Sequence, residues 1–299
     1  MSIRFNPNPL PDLLVAIQQS EQNANTATLQ LSTGRKVNQL SDDPAASASV
    51  VLNHSQTSQD DQFLTNIGTL EPRFQAADSS LSDVVTALTK AISLGTEGAN
   101  GTLNDGDRQA IAVEIQGLQT QLVSLANTSY QGAYIFAGTA VGVKPFTLNS
   151  ATGVVSYIGN TNVTSVQVSN GNSIQGNLPG SQLFLNASGS VFTSLQDLNT
   201  ALQTNGNIGA AVGEVQSALI TVSTQRVFYG NALNQITSSE DFLNQDKLQL
   251  SQQENSLVGV DPATASSNLV QAQTDLQATL AASGRTLSLP NLLSYLPPP

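Results

Sequence analysis

Few residues in this chain have the types and spacing that catalysis or metal binding requires. His54 is the only histidine and cysteine is absent, so a metal centre would need several carboxylates around one imidazole, and no further ligand stands at a useful spacing from it. On a polar helical stretch beside Ser55, His54 reads as a surface side chain. Asp42-Asp43 offers two adjacent carboxylates, which could do acid–base work or hold calcium if a base or a second ligand cluster stood nearby. Neither does, and Pro44 gives the pair another use: Asp43 becomes an N-cap and Pro44 takes the first helical position, where a missing N–H costs nothing. Asp60-Asp61 is a weaker pair still. Asn104-Asp105-Gly106-Asp107 resembles the start of an ion-binding loop, yet the bidentate Glu of an EF-hand is missing, and an Asp cap for a helix at Arg108 accounts for it. Gly171 to Gly176 has neither GxGxxG spacing nor a flanking βα unit, so it is a turn and not a phosphate cradle. Asn-x-Ser/Thr triplets, as at Asn53, Asn127, Asn162 and Asn186, are chance matches in so Ser/Thr-rich a chain. No catalytic, cofactor or metal site is expected.

Composition narrows the classes further. Only 10% of the 299 residues are charged, against about 25% in an average globular protein, so the surface is polar without being ionic. Ten basic against 21 acidic residues give a net charge of −11, which argues against a nucleic-acid partner because phosphate binding needs clustered Lys and Arg. The absence of cysteine removes disulfide frameworks and thiol catalysis together. The first residues, MSIRFNPNPLPDLL, show no basic region followed by an apolar core, and no apolar run approaches the length of a membrane span. Neither a cleaved signal nor a membrane partner is expected.

The elements that would position any site are long helices. Leu10, Leu13, Leu14, Ile17, Ala24, Thr28 and Leu31 recur at three- and four-residue steps, predicting a helix from about Asp12. Gly34 then permits an open backbone, and Asp43-Pro44 starts a second helix with an unbroken heptad seam: Phe63, Ile67, Leu70, Phe74, Ala77, Leu81, Val84, Leu88 and Ala91. Pro72 lies within it and predicts a kink or a fresh start near Glu71. Gly95 to Gly106 reads as a glycine-rich loop. Ile111, Ile115, Leu118, Leu122 and Leu125 make a third seam that ends near Tyr130. Between Thr139 and Asn207 the pattern changes to short β-branched and aromatic clusters with turns at Ala151-Thr152-Gly153 and Asn170-Gly171. Strands are expected at Pro145–Leu148, Val154–Ile158, Thr164–Val168 and Leu183–Leu185, then a helix from Val191 to Leu202, and the turn-rich composition implies a separate small core. From Ala211, apolar positions from Val212 to Leu257 keep heptad register, and a helix of that length rises about 70 Å at about 1.5 Å per residue. Arg226 and Lys247 fall on its seam, where burial unpaired would be costly, so they are expected to meet acids on a neighbouring helix, with snorkelling or a place in a subunit contact as the alternatives. Asp261-Pro262 repeats the earlier cap and opens a last helix with Ala265, Leu269, Ala272, Leu276 and Leu280 on one face.

This order predicts a mainly α fold with a β insert: a long antiparallel, coiled-coil-like helical rod built from both termini, with a small β domain at its tip. Three parts are expected, namely residues 1–43 with 261–299 as terminal helices, 44–140 with 205–260 as the rod, and 141–204 as the insert. The terminal helices are rich in Ala, Ser and Thr, bury little apolar area, and are expected to order fully only against neighbouring subunits.

Gly34 to Ala45, GRKVNQLSDDPA, resembles the joint of the flagellin superfamily, and the Pro after paired aspartates resembles its type 3 hook-associated branch. Tyr134-Ile135-Phe136-Ala137-Gly138-Thr139 is similar to that branch's Y-x-F-x-G-T segment, which filament flagellins usually lack. Arg226, Gly230 and Leu233 match the opening of the family's long C-terminal helix, and LPNLLSYL at Leu289–Leu296 resembles its leucine-rich tail. Gly259 departs from the pattern, standing where an acidic residue is common, and Pro297-Pro298-Pro299 is extra. The resemblance implies a non-enzymatic structural subunit of the bacterial flagellum at the hook–filament junction, with filament flagellin, or an enzyme carried on flagellin-like ends, as alternatives. It implies as partners copies of the chain in a ring, the preceding hook-associated protein, flagellin and an export chaperone. It also implies an extracellular location reached by type III export without a cleaved signal. The residues it singles out are Gly34, Asp42, Asp43, Pro44, Asp261 and Pro262 at the joint, and Leu289, Leu292, Leu293 and Leu296 in the tail.

Overall fold

The computed structural model describes residues 10–186 and 189–288. In chain order its elements are α1 (Leu10–Thr33), α2 (Pro44–Gly98), α3 (Asp105–Ala126), β1 (Ser129–Tyr130), β2 (Ala133–Tyr134), β3 (Phe146–Leu148), β4 (Val155–Tyr157), β5 (Ser165–Ser169), β6 (Asn172–Gln175), α4 (Gly180–Phe184), β7 (Leu185–Asn186), β8 (Gly189–Ser190), α5 (Val191–Thr204), α6 (Ile208–Val258) and α7 (Pro262–Ser288). The strands form four separate antiparallel hairpins. The fold is mainly helical with small β elements between long helices. The chain makes two compact units, Met1–Ser58 with Asp246–Pro299, and Gln59–Gln245.

In the larger unit the heptad seam of α2 is the spine of the core. Ile67, Leu70, Phe74, Ala77, Leu81, Val84, Leu88 and Ala91 are all buried, with Ile111, Ile115 and Leu122 of α3, Leu195 and Leu198 of α5, and Val215, Val222, Tyr229 and Ile236 of α6. Phe74 meets Tyr229 edge-on, ring centroids 5.5 Å apart, an arrangement that aligns ring edge with ring face. One turn further along α2, Asp78 takes the Arg226 guanidinium in a fork, Nε at 2.7 Å and Nη2 at 3.0 Å. This pairing resolves the basic residue on the α6 seam, and the hydrogen bonds to Asp78 push the Arg226 pKa up.

Several expectations fail here for identifiable reasons. Of the two outcomes expected at Pro72, the fresh start does not occur, because α2 is one helix from Pro44 to Gly98; Ile67, Leu70 and Phe74 are buried on both sides of the proline and hold the backbone helical across the lost hydrogen bond. Gly95 and Gly98 are helical and not loop. A Cβ on Gly95 would lie 2.6 Å from Val212 Cγ2, and one on Gly98 would run into Leu202 Cδ2, so these glycines let α5 and α6 come close. Asn104, not an aspartate, caps α3: its side chain accepts from Asp107 N, and the helix ends at Ala126. Leu183 belongs to the short α4, and β7 begins only at Leu185. The β1, β2, β6 and β8 strands, two to four residues long, are not among the strands expected from the sequence.

The insert does not have a core of its own. Phe146, Phe184 and Phe192 meet in edge-on and tilted contacts with ring centroids 5.3 to 5.8 Å apart and belong to the same buried cluster as α2 and α3. Asn127, the C-cap of α3, clamps β3 from both sides, donating to Phe146 O and accepting from Phe146 N, each at 2.9 Å. Gln119 of α3 donates to Gly153 O and Phe192 O, and Asn66 of α2 donates to Gln167 O.

In the smaller unit α1 packs on α7. The inward positions of α1 are Leu13, Ile17, Ser20, Ala24, Ala27 and Gln30, and those of α7 are Ala265, Leu269, Ala272, Leu276, Thr279 and Ser283. Ser20 Oγ and Thr279 Oγ1 meet at 3.2 Å across this seam. Leu14, Leu31 and Leu280, expected on the apolar faces, are exposed instead, because small hydroxyl and methyl side chains occupy the close contact and turn the leucines outward.

The glycine contacts predict opposite effects from one substitution type. Gly98→Ala forces a Cβ into Leu202 and should destabilise by about 1–3 kcal/mol, whereas Gly117→Ala, on the open face of α3 with nothing within 4 Å, should stabilise by about 0.5–1 kcal/mol. Urea midpoints of the two variants test this, and equal midpoints would refute the close-approach account.

Candidate functional site

The residues singled out by the sequence meet in the smaller unit, where the chain leaves α1, enters α2, leaves α6 and enters α7. Gly34 ends α1 with φ +69°, a left-handed value that glycine adopts without strain, and its N–H returns to Gln30 O at 2.9 Å. The backbone beyond it then pairs with the segment after α6. Arg35 and Gly259 form an isolated antiparallel bridge, with Lys36 N donating to Val258 O at 2.7 Å and Val260 N donating to Gly34 O at 3.0 Å. Gly259 is required at this crossing, since a Cβ there would collide with the Asn255 carbonyl. That is the physical reason for the departure noted at this position.

Each aspartate satisfies a set of amides. Asp42 Oδ2 accepts from Asn38 N and Gln39 N, both at 2.9 Å, closing the turn before α2. Asp43 Oδ1 accepts from Ala45 N at 3.1 Å and Ala46 N at 3.0 Å, capping α2 while Pro44 fills its first position. Asp261 Oδ2 accepts from Thr264 N at 3.1 Å and Thr264 Oγ1 at 2.9 Å, with Oδ1 taking Ala263 N at 3.4 Å, and Pro262 opens α7. The Thr264 hydroxyl, then the Thr264 and Ala263 amides, hold the Asp261 pKa below its ordinary value. Leu289, Leu292, Leu293 and Leu296 lie outside the described residues.

The structure also gathers an ion network that sequence spacing could not reveal. Glu254 of α6 lies between Arg35, Nη2 to Oε1 2.5 Å, and His54 of α2, Nε2 to Oε2 3.0 Å. His54 is therefore exposed but paired, its partner 200 residues away in sequence. Beside the joint, Val37, Leu40, Val50, Val51 and Val258 line an apolar groove of about 440 Å³. Among the described residues no group of three or more His, Cys, Asp or Glu is placed to hold a metal ion. The carboxylates here accept backbone amides and stabilise cations; the arrangement fixes backbone directions and presents apolar surface.

Comparison with known proteins gives this joint its context. Residues 12–141 match the bacterial flagellin N-terminal helical region, and residues 212–296 match the bacterial flagellin C-terminal helical region. The chain belongs to the bacterial flagellin family. Within that family it is similar over most of its length to flagellar hook-associated protein 3 of Escherichia coli, at 31% identity with 85% of this chain and 87% of that protein covered. Flagellin A of Vibrio cholerae strain O395 is a more distant relative, 27% identical over 46% of this chain and 37% of its own. In fold the chain is similar to a solved flagellar hook-associated protein of Vibrio parahaemolyticus, with a TM-score of 0.65, 21% identity, and coverage of 73% of this chain and all of that one. It is accordingly a structural component of the flagellum, similar to hook-associated protein 3 and not an enzyme. It assembles with other flagellar components.

Two predictions follow from the caps. Asp43→Ala should cost about 1 kcal/mol, read as a lower midpoint in thermal unfolding; an unchanged midpoint would show that the carboxylate does not cap α2. For Asp261 the folded pKa is depressed, so its contribution is present above the unfolded value and is lost as pH falls through the folded one. Hydrogen exchange at Ala263 and Thr264 should therefore accelerate only at acidities beyond the ordinary aspartate range, and Asp261→Asn should remove that pH dependence. Protection unaffected by either change would refute the cap.

Proposed function

We propose that this chain is the ring subunit that adapts the preceding hook-associated protein to the flagellin filament, with copies of itself as lateral neighbours. The observation that carries this reading is the outer surface of the α1–α7 pair. Leu14, Val15, Leu29 and Leu31 on α1 and Val270 and Leu280 on α7 are exposed, while the seam between the helices mixes a few large aliphatic residues with Ala, Ser and Thr that bury little area. Repeated association through such faces yields closed rings or helical tubes. The tail leucines Leu289, Leu292, Leu293 and Leu296 suit the same assembly and, before it, an export chaperone. Delivery to the cell exterior by the flagellar type III route is part of the same reading.

Immunogold labelling in the source bacterium tests the reading: one band between hook and filament is expected, and labelling along the whole filament would make the chain a filament flagellin instead. Leu14→Glu combined with Leu29→Glu should leave monomer helicity unchanged and reduce incorporation by at least tenfold. Normal incorporation of that variant would show that the outer face of α1 makes no subunit contact.

A further inference from the structure

The chain contains Asn-Gly at residues 100–101, 170–171 and 205–206. An asparagine before glycine is open to attack by its own backbone, because the following amide nitrogen can close a five-membered ring on the side-chain carbonyl carbon and glycine has no Cβ to obstruct it. Ring closure needs a free side chain that can swing over that nitrogen, and an N–H not committed to another acceptor.

The three positions differ in both respects. The Asn100 carboxamide oxygen is held by Thr102 N at 3.2 Å and Thr102 Oγ1 at 3.0 Å, so attack at Asn100 must first break two hydrogen bonds. Asn205 is the left-handed C-cap of α5, with φ +52°, and the Gly206 N–H is committed to Ala201 O at 2.8 Å. Asn170 and Gly171 are both exposed in the two-residue turn between β5 and β6. Among the described residues neither the Asn170 carboxamide nor the Gly171 N–H has a hydrogen-bond partner.

We propose that Asn170 is a self-modification site, at which the folded protein loses the side-chain amide through a succinimide formed with the Gly171 backbone nitrogen. The Gly171 nitrogen gives up its proton to solvent base and bonds to Asn170 Cγ; the Cγ–Nδ2 bond breaks and ammonia leaves with a proton from water. Water then opens the ring at either carbonyl, giving Asp from one cleavage and isoaspartate from the other. The step needs only water and no oxidant or reductant, and it adds one negative charge to the turn. The two products differ structurally. Val168 and Ile174 flank the turn as buried residues, and the hairpin pairs Val166 with Ile174 and Ser169 with Asn172. Aspartate keeps that spacing. Isoaspartate adds a main-chain carbon to the turn and pulls against a register that burial fixes, with Asn66 still tying Gln167 O to α2 at 2.9 Å.

The test is incubation of the purified full chain at neutral to mildly alkaline pH, followed by isoelectric focusing and peptide mass spectrometry with fragmentation that separates Asp from isoaspartate. The expected result is an acidic form that accumulates faster as pH rises, with Asn170 converted several-fold ahead of Asn100 and Asn205. Asn170→Gln should abolish the main acidic form, and Asn170→Asp should reproduce its charge with unchanged helicity. Conversion at Asn100 or Asn205 as fast as at Asn170, or persistence of the acidic form in Asn170→Gln, would overturn the assignment. So would an intact Asn170 under conditions that convert it in a free peptide of residues 165–175.

Discussion

Burial of one stripe of α2 is the constraint on which the larger unit depends. From Ile67 to Ala91 nearly every three- or four-residue step lands in the interior, and α3, α5, α6 and the hairpins all contribute to the same cluster. Because side chains of a helix recur on one face at this period, one unbroken seam can serve several partners in turn along its length. The glycines at 95 and 98 extend that service to the end of the helix, where Val212 and Leu202 press closest. Polar residues then place the partners: the Asp78–Arg226 fork sets α6 against α2, and Asn127 sets β3 against α3. Tyr229 heads the large fully buried side chains of this core, and burial pushes its hydroxyl pKa up.

The smaller unit follows a different logic. Its helices share a narrow seam of Ala, Ser, Thr and a few large aliphatic residues, so apolar burial within one chain is modest, and a larger share of its definition comes from backbone caps and the Arg35–Gly259 bridge. Aspartates suit this role because the first turn of a helix leaves amides without partners, and a short carboxylate reaches two of them at once. The same economy leaves leucines and valines facing outward. A surface with few charges and exposed aliphatic side chains is what a subunit needs if neighbouring copies are to complete it.

Much of this was legible in the sequence because helical periodicity and Asp-Pro starts are local signals. The seams from Ile67 to Ala91 and from Val212 to Leu243, and the turn at Asn170-Gly171, could be read within short windows. The errors came from facts that are not local. Gly95 and Gly98 look like loop residues unless Val212 and Leu202 are known to lie against them. Pro72 looks like a break unless burial on both sides of it is known. Leu14 and Leu280 sit at helical spacing with their neighbours, and only the partner helix decides which of two adjacent stripes turns inward. The continuity of the insert with the main core depends on Phe146, Phe184 and Phe192 meeting, and the His54–Glu254 pair spans 200 residues. Gly259 departs from the family's pattern in sequence, and the Asn255 carbonyl that a Cβ there would meet is visible only in the structure.

The bridge between Arg35 and Gly259 also sets an order of events. It joins residues separated by about three-quarters of the chain, and closing so long a loop carries an entropic cost that structure formed in between reduces. Structure formed from Pro44 to Val258 shortens the effective loop, so this isolated bridge is a contact of the kind that forms late. Within the smaller unit, the crossing of Gly34–Lys36 with Val258–Val260 is thus a late and long-range contact, unlike the local caps at Asp43 and Asp261.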